Sequence, residues 1–201
     1  MAAIQFHPAT AERWSDLEQL FGKNGANAGC WCMFWRLERA MFKKTKGEGN
    51  RQILKQIVES DEQPGILAYD GKQAVGWCGI APREKLIALE NSRILKRVDD
   101  QPVWSITCFF VLKEARRQGI MESMIKAAVE HATANGAQVV EAYPIDMQSP
   151  KLAGQTFNSY SGYMGIASAF RSLGFEQVGR ASETQLILRF KVRPVTRKKS
   201  K

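Results

Sequence analysis

The chain has 201 residues, a formal charge of +9 and a pI near 9.5: enough length for one substantial core, and a charge that favours anionic partners. Much of the excess sits in the last strand and tail, at Arg189, Lys191, Arg193, Arg197, Lys198, Lys199 and Lys201, where a basic tail is normally just solvated. No nucleic-acid recognition motif accompanies it, and no apolar leader or long apolar run suggests secretion or a membrane span, so a cytoplasmic protein is expected.

In chain order, a short strand at residues 3–6 leads to Thr10, a candidate cap for a helix reaching about Phe21 with Glu12 in its first turn. A Gly- and Asn-rich loop, 22–29, precedes Cys30-Trp31-Cys32-Met33-Phe34-Trp35-Arg36. Those large apolar groups read either as core or as the wall of an acceptor pocket. Cys-x-Cys is also a metal-ligand spacing, but no second close pair and no adjacent His completes a set, so no metal is expected. Cys78 and Cys108 lie in strand-like runs and read as buried apolar residues. His7 and His131 are the two histidines, which makes a histidine triad a poor reading. A helix is predicted over 50–59. Strands over 65–69 and 73–80 flank Asp70-Gly71, a strong hairpin signal, and 83–102 is charged, with one short helix.

The most informative stretch is 103–121. A strand over 103–112 passes a charged turn, Lys113-Glu114-Ala115, into Arg116-Arg117-Gln118-Gly119-Ile120-Met121. A helix follows, with Met121, Met124, Ile125, Ala128 and Ala132 on one apolar stripe and Asn135-Gly136 as its stop. A strand feeding a basic, Gly-containing turn at a helix N-terminus offers unpaired N–H groups and the positive end of the helix dipole to an anion. Strict alternation places Val103, Ser105, Thr107, Phe109 and Val111 on one strand face, assigned to the cleft, and Trp104, Ile106, Cys108 and Phe110 on the other. Further strands are predicted over 137–143, 175–180 and 184–192, with a helix ending at Gly174-Phe175.

This turn resembles the acyl-CoA-binding motif of the GNAT acyltransferase superfamily, [Gln/Arg]-x-x-Gly-x-[Gly/Ala]: Arg116 and Gly119 match, and Met121 replaces the small last residue. The later helix ending in Gly-Phe is similar too, and the likeness runs from about 64 to 190. It implies a single α/β domain over 1–192, followed by a basic tail at 193–201, with a mixed, mostly antiparallel sheet, a central splayed parallel pair and flanking helices. It implies acetyl-CoA as co-substrate, with Phe109, Phe110 and Val111 along its pantetheine arm and Arg116, Arg117, Gln118, Gly119, Ile120 and Met121 around its pyrophosphate. The expected activity is N-acetyl transfer to a primary amine of a small molecule or peptide by direct attack in a ternary complex. Where the family usually has a proton-donating Tyr this chain has Phe170, so Tyr163, seven residues and two helical turns before it if the helix extends that far, is the candidate acid and Tyr160 the reserve. Glu141 is the candidate base, with Asp146 beyond it. The rival readings are a CoA-binding module without turnover and a basic nucleic-acid binder. No specific nucleic acid or membrane partner is expected, and a homodimer is left open.

Overall fold

The computed structural model describes residues 3–156 and 162–192. Strands β1 (Gln5–Pro8), β2 (Gly65–Asp70), β3 (Gln73–Pro82), β4 (Trp104–Val111), β5 (Val139–Ala142), β6 (Glu176–Ser182) and β7 (Gln185–Lys191) form a seven-stranded sheet in the order β1-β2-β3-β4-β5-β7-β6. Neighbours are antiparallel except β4 and β5. The β2–β3 hairpin closes through Gly71, whose φ of 58° is the left-handed geometry such tight turns require.

The helices are α1 (Trp14–Phe21), α2 (Arg39–Thr45), α3 (Glu48–Glu59), α4 (Ile87–Glu90), α5 (Ile120–Ala134) and α6 (Ala167–Arg171). Helix α5 buries Ile120, Met124, Ile125, Ala128 and Ala132 against one sheet face, as its stripe predicted, and Met121 packs against the same cluster. Each large side chain so buried is worth about 1.5–3 kcal/mol. Helices α1 and α3 cover the other face, where Leu17, Phe21, Trp31, Met33 and Leu54 meet Leu67 and Trp77.

Two expectations fail. Helix α2 was not foreseen: it buries no residue, so its sequence carries no apolar period to read. The alternation along β4 also breaks. Gly79 pairs with Cys108 and Ile80 with Ile106, leaving Thr107 as an extra residue, a β-bulge. Ile106, Phe109 and Val111 therefore share the α5 face, whereas Cys108 and Phe110 turn toward α1.

The parallel β4–β5 contact is short, Trp104↔Val140 to Ile106↔Ala142. Beyond it the strands part, and residues 163–166 enter the gap. The Phe109 N–H donates to the Tyr163 carbonyl at 2.6 Å, and the Ile145 N–H donates to the Gly165 carbonyl at 2.9 Å. Gly165 permits this passage, since a Cβ there would lie 2.9 Å from the Phe170 ring and 3.2 Å from that of Phe109.

Candidate active site

The turn after β4 combines extended and left-handed residues. Arg116 is extended and its Nε donates to the Val111 carbonyl at 2.9 Å. Arg117 (φ 63°) and Gly119 (φ 74°) are both left-handed, which folds successive N–H groups into a concavity ahead of α5. A Cβ added at Gly119 would meet nothing within 4 Å, so the space above the turn is open. Gln118 donates to the Glu114 carbonyl at 3.2 Å, Ile120 is buried and Met121 half-buried. A cleft of 310 Å³ lies on the hairpin side of this turn, lined in part by Asp70, Glu114 and Gln118. Its two carboxylates suit phosphate poorly.

Phe109 and Val111 point into the α5 core and Phe110 toward α1, so these three present backbone rather than side chain to the splay. Of their N–H groups, that of Phe109 is already held by Tyr163. Phe170, at the position where a tyrosine was expected to be missing, is fully buried and stacks edge-on with Phe175 at 5.1 Å. It is a packing residue.

Tyr163 does not extend α6, which begins only at Ala167. The expected two-turn helical relation to Phe170 is therefore wrong, because Gly162 and Gly165 hold a turn there instead. Its ring packs beside Trp35 in the cluster that also holds Leu86, Leu89 and Met164. Burial, and next the neighbouring Cys108 sulfur, push its hydroxyl well above the ordinary phenol value, while the Trp35 indole opposes them. Tyr160 lies outside the described residues.

Glu141 is not placed as a solvent-facing base. It is fully buried, with Arg83 Nη1 at 3.0 Å from Oε1 and Arg189 Nε at 2.7 Å from Oε2. The Tyr143 hydroxyl donates to it at 2.6 Å and meets Ser105 Oγ at 2.8 Å. Both oxygens are committed, so this carboxylate joins three strands and the α4 segment rather than receiving a proton from substrate. Asp146 is likewise held, with Arg180 Nη2 at 3.3 Å. The histidines pack edge-on against aromatic rings, His7 on Tyr69 and His131 on Trp104.

Two features were missed. Arg83 is fully buried and its guanidinium donates to Glu90, Glu141, Tyr143 and the carbonyls of Leu89 and Leu95. No local signal in Pro82-Arg83-Glu84-Lys85 marks it. The second is a thiol cluster. Cys108 is half-exposed, contrary to its reading as core, as are Cys30 and Cys32, while Cys78 is buried as read. Among the described residues no three His, Cys, Asp or Glu side chains are grouped to hold a metal, and no helix is long and apolar enough to cross a membrane.

A mixed sheet with one short parallel pair that splays, and an anion-shaped turn leading from the splayed strand into a helix, defines a coenzyme-binding transferase architecture. The sequence profile of the acetyltransferase (GNAT) family matches residues 31–152, and the chain belongs to that family. Among solved structures it is similar in fold to a ribosomal-protein-S5-alanine acetyltransferase from Vibrio fischeri (TM-score 0.54, 15% identity, 95% of this chain and 94% of that one). It is also similar to the PaiA N-acetyltransferase from Thermoplasma acidophilum in complex with coenzyme A (TM-score 0.53, 11% identity, 94% and 99%). Comparison with curated protein sequences gives no match.

Proposed function

We propose that this protein is a cytoplasmic N-acetyltransferase that moves an acetyl group from acetyl-CoA to a primary amine of a small molecule or peptide, by direct attack within a ternary complex. The observation that carries this is the left-handed Arg117/Gly119 turn, open above and set at the far end of β4, the strand that parts from β5 after Ile106. Acetyl-CoA supplies an activated acyl thioester when bound. The N–H groups of residues 116–121 and the α5 dipole would hold its phosphates, with Arg116 and Arg117 adding charge. Running back along β4 from Val111, an extended arm reaches the bulge at Thr107 after four residues, about 13 Å. Because Phe109 has given its N–H to Tyr163, backbone pairing falls chiefly to Val111.

Proton handling divides between solvent and one side chain. With Glu141 and Asp146 tied into ion pairs, the amine loses its proton to water. Tyr163 stays protonated throughout the working pH range, since its hydroxyl is pushed up, so it is always available to donate a hydrogen bond to the charge that develops on the departing sulfur. Tyr163→Phe should then lower kcat roughly 10- to 1000-fold while leaving the Kd for CoA unchanged, because that charge is absent from the ground state. Equal kcat for the two proteins, measured with a reactive amine when chemistry limits the rate, removes Tyr163 from the mechanism. The wider reading is tested by an acetyl-CoA-dependent screen of amines, peptides and polyamines, read as acetylated product. CoA binding without product from any acceptor would favour the non-catalytic module.

A further inference from the structure

We propose that Cys32 and Cys108 form a thiol pair oxidised by hydroperoxides, with Cys32 the sulfur oxidised first and Cys108 the resolving thiol, and that the disulfide they form shuts the acyl-transfer cleft. The two residues converge above one sheet glycine. Gly79 pairs with Cys108 across β3 and β4, and a Cβ added at Gly79 would lie 2.8 Å from Cys32 Sγ and 3.4 Å from Cys108 Cβ. The missing side chain makes the room that the Cys32 sulfur occupies.

Cys32 is held there at some cost. Trp31 (φ 49°) and Cys32 (φ 58°) are consecutive left-handed residues that carry side chains, a conformation kept only where the surroundings enforce it. The surroundings suit a sulfur anion. The Trp77 indole N–H donates to Cys32 Sγ at 3.2 Å. Arg36, buried and paired through Nη1 to Glu62 at 2.6 Å, has no hydrogen-bond partner for its buried Nη2 among the described residues. Both Cys32 and Cys108 are half-buried, the partial exposure that reactive thiols share. The pair is also asymmetric. A hydrogen bond from Cys108, then the Trp77 indole and the Arg36 charge, hold the Cys32 thiol below its ordinary range against the pull of burial. Cys108 is pushed well above that range by its neighbour Cys32 and by burial. A thiol that ionises more readily, set beside one that keeps its proton, is the arrangement that oxidises in two steps.

In the first step the Cys32 thiolate attacks one oxygen of the hydroperoxide. The O–O bond breaks, the departing oxygen takes a proton and leaves as water or an alcohol, and Cys32 becomes a sulfenic acid. In the second, the Cys108 sulfur attacks Cys32 Sγ. The S–S bond forms, the S–O bond breaks, and the hydroxyl leaves as water with the Cys108 proton. Two electrons pass from the thiols to the peroxide. The bond ties the 30–36 segment to β4 one residue before Phe109 and alters the sulfur beside Tyr163, far from the turn at 116–121. That consequence rests on the acyl-transfer reading, whereas formation of the bond does not.

The test treats the reduced full-length protein with a few equivalents of hydrogen peroxide, quenches it with catalase, alkylates remaining thiols and measures intact mass, peptide linkage and acetylated product in parallel. Expected are loss of two hydrogens, two of the four free thiols protected, a Cys32–Cys108 linked peptide, at least tenfold lower turnover, and reversal of all four by dithiothreitol. Cys108→Ser should instead accumulate a dimedone-reactive sulfenic acid on Cys32, and Cys30→Ser should still form the bond. Four alkylatable thiols after a peroxide dose that fully oxidises free cysteine, or a link mapped to Cys30 or Cys78, overturns the pair. The linked peptide with undiminished turnover overturns the closure. A protein that never acetylates any amine refutes the acyl-transfer reading instead, and mass and mapping then decide the pair by themselves.

Discussion

Replacing Arg83 by methionine is expected to lower the free energy of unfolding by about 3–5 kcal/mol, the usual loss when one partner of a buried ion pair is removed. The guanidinium is fully buried and carries its N–H groups to two carboxylates, one hydroxyl and two backbone carbonyls. Methionine fills much of the volume but leaves Glu141 in the interior with Arg189 as its remaining cation, and strips the Leu89 and Leu95 carbonyls of a donor. Adding Glu141→Gln should recover part of the loss, since the uncompensated charge is what costs most. Lys85→Ala is the contrast: its side chain is 48% exposed beside Glu62, and its loss should cost less than about 1 kcal/mol. Urea unfolding of the four proteins reads all of this. A loss below about 1 kcal/mol for Arg83→Met would mean that the network contributes nothing.

Gly119→Glu should reduce CoA affinity by at least about 100-fold, the equivalent of losing two charge-assisted hydrogen bonds. The reason is not crowding within the protein, because a side chain at Gly119 meets nothing within 4 Å. It is conformational and electrostatic. At φ 74° a side chain costs roughly 1–2 kcal/mol, which favours relaxation of the turn and dispersal of its N–H groups, and a carboxylate would then stand where phosphate must sit. The fold should survive, since α5 keeps its buried stripe. Titration of CoA by calorimetry checks the point, with the melting curve as control. Retained affinity in a folded variant would reduce the turn to an ordinary loop.

These two residues also mark what a sequence reveals. The turn at Gly119 is legible because it is local: a strand end, basic residues, one glycine and a helix start, all within a few positions. The β2–β3 hairpin and α5 were legible for the same reason, through Asp70-Gly71 and a helical apolar stripe. Arg83 was not, because what buries it is Glu141, 58 residues away. The faces of β4 were misread because the bulge at Thr107 is imposed by its pairing with Gly79 and Ile80 on β3, and nothing in the strand itself announces an extra residue. Glu141 was picked as the carboxylate nearest the site in sequence, and it is near, but two arginines distant in sequence claim it. Tyr163 rests on a helical spacing that Gly162 and Gly165 argue against: they make a turn there, and α6 begins only at Ala167.

The central claim, that the turn at 116–121 holds acetyl-CoA, is tested most directly by thermal unfolding with and without that ligand. At a concentration near 100 Kd, a ligand selective for the folded state stabilises it by about 2.7 kcal/mol, and for a chain of this length that is a rise in Tm of roughly 5–10 °C. Acetyl-CoA and CoA should both produce it, and NAD and ATP should produce much less. A melting curve unmoved by millimolar acetyl-CoA would contradict the account.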